Sequence, residues 1–345
     1  MPSIDKHRRQ LLHGMAGAMA IPALGACGMG HAAGAAPPSV DAAIRDFAKL
    51  QPDTTSALVQ VDAPLGGWSA GHQPGKQIFV GSAVKTFILA QFLRDAEQLR
   101  DNISESAACT IDDEYRSPGS AVLGDLSGTT AWRNVLEAMI SHSDNTATDL
   151  ALARVGPDRV RALIAQAGLS NTQIPDSTRR LFSYLAGAPA GTDLGWSGMQ
   201  RLARGDSMGY TERDDVINAQ QSMLSTAEDM VRWYGNALSG RYFTQAKSRT
   251  EFKRISSMAD AMSSVVPEGL EAYGKGGSID WRDFHCIAVP GQMLVDRVPV
   301  NFCFVLNWRA GDSTSITRLP DFVAAVSAVL SSTEQAVRSA GLTRS

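Results

Sequence analysis

Residues Ile78–Ala90 read IFVGSAVKTFILA, and the change of rhythm inside this stretch organises the whole chain. Ile78-Phe79-Val80 is a short apolar run of strand type, and Gly81-Ser82 interrupts it. From Ser82 onward Val84, Phe87, Ile88, Gln91, Phe92 and Asp95 progress with the spacing of a buried helix. Upstream, Val40–Leu50 predicts an amphipathic helix and Ser56–Val61 a strand. The turn-rich Ala63–Gln77, with Gly66-Gly67, Gly71 and Pro74-Gly75, fits a hairpin. Downstream the pattern stays helical over Thr130–Ile140, Thr146–Val155, Pro157–Ala167 and Thr226–Leu238, the last with a capped start at Ser225-Thr226. Strands return at Ser278–Val289 and Val298–Leu306, read as a hairpin around Pro290-Gly291 to Arg297, before a terminal helix over Pro320–Ser332. Strands at both ends with helices between them predict an α+β fold. An antiparallel sheet lobe from both chain ends, about 41–80 and 265–345, packs on an inserted all-helical lobe, about 81–264.

The strand-to-helix turn also carries chemistry. Ser82-Ala83-Val84-Lys85 is an S-x-x-K string, Ser143-Asp144-Asn145 follows sixty-one residues later, and Lys275-Gly276-Gly277 stands late in the chain. S-x-x-K alone means little, since Ser3-Ile4-Asp5-Lys6 matches it too; order and context carry the signal. A serine hydroxyl needs a base within hydrogen-bond reach to act as nucleophile at neutral pH. Positions i and i+3 share a helix face, so Lys85 is placed to take the proton of Ser82, provided burial and neighbouring cations keep its amine neutral. The helix N-terminus and the Ser82 N–H favour a developing oxyanion. Ser143 is placed to pass a proton to the leaving atom, and Asn145 to hold Lys85 and a substrate carbonyl. Asp144 reads as a buried cap, and taken alone the triplet Ser-Asp-Asn is an ordinary helix start. Lys275 attracts a substrate carboxylate, Gly277 permits close approach to the strand, and Ser278 offers a second oxyanion N–H. Read alone, K-G-G is a surface turn.

The 345 residues, 44% of them hydrophobic, suffice for one large domain of two lobes, assigned to residues 41–345. Residues 1–26 read as an export signal: Lys6, Arg8 and Arg9 precede an apolar Gly/Ala-rich run, Leu11–Ala26. Arg8-Arg9 fits a twin-arginine signal or an ordinary Sec signal. Leu24-Gly25-Ala26-Cys27 fits a lipobox, with membrane anchoring through a lipidated Cys27, or a plain cleavage site; residues 27–40 form a spacer. Loss of residues 1–26 removes a net +2 and takes the formal charge from −3 to about −5. Either way the destination is the periplasm or cell envelope. No basic run interleaved with aromatics suggests nucleic acid, and no H-E-x-x-H or paired C-x-x-C suggests metal; no cofactor is expected, and a monomer is. Cys109, Cys286 and Cys303 remain, and the last two face each other if the hairpin register holds; buried free thiols are the alternative.

Together the three strings resemble the class A β-lactamase family of penicillin-recognising serine hydrolases, whose signature is S-x-x-K, S-D-N and K-T-G. The resemblance runs from about Ser56 to Leu306 and is densest at Met139–Leu152, MISHSDNTATDLAL. It implies a sheet lobe packed on a helical lobe with Ser82 at their interface, an acyl-enzyme at Ser82, and a β-lactam or related amide or ester as small-molecule substrate.

Two departures bear on that implication. Gly276 stands where the family has a hydroxyl, and His285 where an arginine often helps bind the carboxylate. The family's deacylating glutamate, counted forward from Ser143, lands on Ser177-Thr178-Arg179-Arg180, and no glutamate lies between Glu137 and Glu212. The segment Ile174–Leu224 is about thirty residues longer than the family's loop. Counted back from Ser225-Thr226, Glu212 falls near the expected place as candidate base, with Asn218 two residues late. The leading expectation is a class A-like β-lactamase. An esterase or D,D-peptidase-like relative, and an envelope protein that only binds its ligand, are the alternatives.

Overall fold

The structure is a computed structural model and describes residues 34–63 and 66–342. The export signal, its arginine pair and Cys27 lie outside the described residues. In chain order the strands are β1 Thr55–Val61, β2 Trp68–His72, β3 Ile78–Phe79, β4 Ala108–Ile111, β5 Gly128–Ala131, β6 Leu224–Ser225, β7 Glu271–Gly274, β8 Gly277–Trp281, β9 Phe284–Val295 and β10 Val298–Arg309. The helices are α1 Pro38–Ala48, α2 Lys85–Glu97, α3 Trp132–Ser141, α4 Asn145–Val155, α5 Pro157–Gln166, α6 Thr178–Leu185, α7 Gly195–Ala203, α8 Ala227–Ser239, α9 Ala246–Ser256, α10 Asp260–Val265 and α11 Ser315–Ser339.

The main sheet is antiparallel, in the order β2-β1-β10-β9-β7, with β8 pairing β9 on the same edge as β7. It is assembled from both chain ends, as the α+β reading requires. Strands β9 and β10 are buried along nearly their whole length, which explains their continuous apolar sequences: helices cover both faces. On one face α1 and α11 pack together, and Phe47 meets Phe304 and Phe322 edge-on at centroid distances of 5.2 and 5.8 Å. On the other, α8 lies across β1, β9 and β10 and carries the sheet into the helical lobe. Trp233 of α8 packs on Phe87 and donates its indole N–H to Thr86 Oγ1 at 3.0 Å, fastening α8 to α2. No helix among the described residues is long and apolar enough to cross a membrane.

The structure corrects several boundaries. The spacer expected to run to residue 40 ends sooner: Gly34 bridges to Trp68, and α1 starts at Pro38. Ser278–Val289 is not one strand, because Arg282, at φ 54°, turns the chain back and makes β8 and β9 a hairpin. Pro290-Gly291 is not a turn either. Both lie inside β9, and the reversal comes at Asp296-Arg297, where φ is 47° and 69°. Proline is tolerated there because the edge is broken: β7 pairs up to Gly291, β8 starts opposite Ala288, and the Pro290 carbonyl faces the gap and accepts the Lys275 N–H at 3.2 Å. The resulting register sets Cys286 opposite Asn307 and Cys303 opposite Pro290, so the two do not face each other; Cys109, Cys286 and Cys303 are buried free thiols. The terminal helix is longer than Pro320–Ser332, because a Thr314–Thr317 capping box starts it ahead of Pro320.

The segment Ile174–Leu224 holds two helices, α6 and α7. Its excess length is closed off at a neck: Arg213 N–H donates to the Leu185 carbonyl at 2.7 Å, and Arg213 stacks over Tyr184 at 4.1 Å. Gly187, at φ 98°, completes the neck, since a Cβ there would fall 2.1 Å from the Thr211 carbonyl oxygen. The residues between Gly187 and Thr211 therefore leave and rejoin the lobe as one excursion.

Candidate active site

The short β3 strand pairs with β6, and Val80 N–H continues that ladder to the Met223 carbonyl at 2.9 Å. The chain then turns at Gly81, φ 54°, into a 3-10 turn over Gly81–Val84 that runs directly into α2. In 3-10 winding residues i and i+3 eclipse, and the Lys85 N–H donates to the Ser82 carbonyl at the end of the turn. Strand β8 presses on this turn. A Cβ on Gly277 would lie 2.1 Å from the Val80 oxygen, 2.9 Å from the Ser82 nitrogen and 2.8 Å from that of Ala83. Only glycine permits the approach, and it brings the Ser278 backbone beside Gly81.

Lys85 is fully buried. Its Nζ donates to the Ser143 carbonyl at 2.6 Å and to Asn145 Oδ1 at 2.8 Å, with Ser143 Oγ at 3.3 Å. Burial first, and the Lys275 charge second, push its pKa well below the ordinary lysine range, against the pull of Asp149 and Asp144. Ser143 sits in the left-handed region at φ 57°. Asp144 caps α4 through the Ala147 N–H at 2.8 Å and also accepts the Val122 and Leu123 N–H groups at 2.8 Å, as its reading as a buried cap implies. Asn145 completes the clamp by donating to the Pro118 carbonyl at 2.7 Å.

Lys275 fills the break between β7 and β8. It is buried, donates to the Gly276 carbonyl at 2.7 Å, and burial lowers its pKa to about 8, with Asp260 opposing. One cleft, of about 340 Å³, is lined by Ser143, Lys275, Gly276, Gly277 and Ser278 together. The missing hydroxyl at Gly276 has a steric cause, for a Cβ there would fall 2.7 Å from the Ala261 methyl carbon of α10. His285 is used in packing: buried, stacked on Trp308 at 5.1 Å, with its ring nitrogens 2.7 Å from Asp280 Oδ1 and 2.8 Å from the Ala310 carbonyl.

The site therefore brings Ser82, Lys85, Ser143, Asn145, Lys275, Gly277 and Ser278 to one seam between sheet and helices. Glu212 is not joined to it. It is exposed and pairs with Arg282 at 3.6 Å, and the neighbouring Arg213 carbonyl accepts the Trp281 indole N–H at 2.9 Å. Trp281 is three residues, about 10 Å of extended strand, beyond Ser278. Among the described residues no hydrogen bond or ion pair links Glu212 to Ser82, Lys85 or Ser143. Where the forward count lands, Arg179 is locked down by Asp193 at 2.6 and 2.8 Å and by the carbonyls of Arg116 and Glu114.

Sequence reasoning missed Asp149. Buried on α4, it accepts the Thr178 and Arg179 N–H groups at 2.6 and 3.0 Å and so anchors the start of α6. Burial raises its pKa, opposed by those N–H groups. A carboxylate inside the apolar run TDLAL was the available signal.

This seam can be compared with known proteins. The profile of the beta-lactamase enzyme family matches residues 39–290. The chain belongs to that family. Solved structures of β-lactamases and of PBP-A also resemble it. The β-lactamase of Sphaerobacter thermophilus is 18% identical, with 86% of this chain and 96% of that one covered and a TM-score of 0.63. The chromosome-encoded β-lactamase of Vibrio parahaemolyticus is 17% identical over 86% and 98%, with a TM-score of 0.62. A PBP-A mutant solved as an acyl-enzyme complex with penicillin G is 17% identical over 88% and 100%, with a TM-score of 0.61. At such identities the likeness concerns the fold. No curated protein sequence matches the chain.

Proposed function

We propose that this beta-lactamase-family protein is a serine hydrolase that forms an acyl-enzyme at Ser82, with the β-lactam amide as its leading substrate. The observation that carries this reading is the hydrogen bonding of Lys85. The Ser143 carbonyl and Asn145 Oδ1 can only accept, so they use two N–H groups of Lys85. A neutral amine then has its lone pair left for a hydroxyl proton, with Ser143 Oγ at 3.3 Å, and burial beside Lys275 favours that neutral form. Lys85 takes the Ser82 proton as Ser82 Oγ attacks the acyl carbon. The N–H groups of Ser82 and Ser278 hold the oxyanion, and Ser143 hands a proton to the departing atom. Among the described residues no carboxylate of the Glu212 kind is hydrogen-bonded to Ser82, Lys85 or Ser143, so hydrolysis of the acyl-enzyme is the slow step of this reading.

Intact-protein mass spectrometry after incubation with benzylpenicillin tests this. A covalent adduct at Ser82, absent in Ser82→Ala, is expected; no adduct and no hydrolysis by the wild type would sink the reading. A second reading, an esterase or peptidase using the same acylation site, is favoured by Gly276, where Ala261 takes the space of the family's carboxylate-binding hydroxyl. The same proposal sends the protein to the cell envelope as a monomer through residues 1–26. The mass of the mature N-terminus distinguishes a lipidated Cys27 from a plain cut.

A further inference from the structure

The cleft at Ser143 does not end at the seam. It passes over the broken sheet edge at Lys275-Gly276 and runs between β9 and the α10–α11 pair, where Val265, Ile287, Val289, Phe322 and Val323 form an apolar wall. Ser264 and Leu319, both exposed, stand at its mouth. Its charged groups are Lys275, whose ammonium is engaged by the Gly276 carbonyl, and Asp260, which repels an anion. Two of the features that would help Lys275 grip a carboxylate are otherwise occupied: Ala261 fills the hydroxyl position at Gly276, and His285 is held by Asp280 and the Ala310 carbonyl.

We infer that this cleft is a leaving-group subsite for an uncharged apolar arm, so that the preferred substrates are esters or amides whose leaving alcohol or amine carries an alkyl or aryl substituent. The inference rests on the acyl-transfer reading of Ser82. The departing atom must come within hydrogen-bond reach of Ser143 Oγ, and Ser143 lines the cleft, so whatever is bonded to that atom extends into it. In the ester case the Ser82 Oγ–acyl carbon bond forms and the acyl carbon–alkoxy oxygen bond breaks. The Ser82 proton passes to Lys85, and the departing oxygen receives one from Ser143, which Lys85 reprotonates. The arm leaves as the neutral alcohol.

The test uses phenylacetyl esters of methanol, butanol and hexanol and of the charged glycolate, so that only the leaving arm varies. Full burial is worth about threefold to fourfold per methylene group. For acylation of the wild type, kcat/KM is expected to be at least tenfold higher for hexyl than for methyl, and lowest for glycolate. Ser264→Trp and Leu319→Glu, exposed positions that tolerate substitution, should abolish the chain-length dependence. Acylation at Ser82 with no chain-length dependence, or with glycolate preferred, overturns the inference and leaves the acyl-enzyme reading intact. If neither these esters nor benzylpenicillin acylate Ser82, that reading fails, and binding decides the cleft separately. Ser82→Ala should still bind the hexyl ester at least tenfold more tightly than the methyl ester, by titration calorimetry, and lose the difference with Leu319→Glu. Equal binding overturns it.

Discussion

Gly276 and Ala261 are packed so closely that the first cannot carry a side chain: a Cβ at Gly276 would lie 2.7 Å from the Ala261 methyl carbon. The departure of the third motif from the family's pattern is thus one side of a steric exchange between the edge of the sheet and α10. Gly276→Thr alone is expected to displace α10 and destabilise the protein by about 1–3 kcal/mol. Combined with Ala261→Gly, it should recover most of that loss in urea denaturation and raise acylation by carboxylate-bearing β-lactams. A double variant no more stable than Gly276→Thr alone would contradict the steric account.

The buried Lys275 makes stability depend on alkaline pH. Its folded pKa of about 8 is below that of the unfolded chain, so below pH 8 both states hold the proton and the burial penalty is present in full. Between about pH 8 and 10.5 the folded state gives up a proton that the unfolded state keeps, and stability rises. Relative to Lys275→Met, the wild type should gain on the order of 3 kcal/mol across that window, read from unfolding at pH 7.5 and 10.5. Parallel pH dependences in the two proteins would refute it.

Asp149 couples the candidate site to the remodelled segment. Asp149→Asn keeps one acceptor but turns an amide N–H toward the second donor of the Thr178–Arg179 pair, and a loss of about 1–3 kcal/mol is expected. Hydrogen exchange should quicken at the start of α6. Removal of the charge also removes an influence that raises the Lys85 pKa, so the acidic limb of the acylation pH profile should move to lower pH. A profile that stays in place would separate Asp149 from the base.

Glu212→Gln is expected to leave turnover within about twofold of wild type, because Glu212 sits in an exposed pair with Arg282. Lys85→Ala, by contrast, should cost about a hundredfold or more in acylation. Accumulation of the acyl-enzyme in Glu212→Gln, seen by mass spectrometry, would restore Glu212 as the water-activating residue.

Much of this architecture was legible because it is written in local periodicity. The strand-to-helix switch at Gly81-Ser82, the cap at Thr226 and the apolar runs of β9 and β10 follow from neighbours a few residues apart. What went unread depends on partners distant in sequence. Pro290-Gly291 looked like a turn, since those residues make turns wherever a strand ladder forbids them; only the gap between β7 and β8 removes that prohibition. The cysteine register failed for the same reason, because a displaced turn moves every cross-strand partner.

By itself the sequence determined the fold class and singled out Ser82, Lys85 and Ser143 as the candidate group, because residue type and helical spacing suffice to put an amine one turn from a hydroxyl. Only the tertiary structure decided what surrounds that group. The burial of Lys85 and Lys275, the steric exclusion at Gly276, the removal of Glu212 to the far end of β8 and the apolar cleft toward α11 are properties of packing between segments that meet only when the chain is folded.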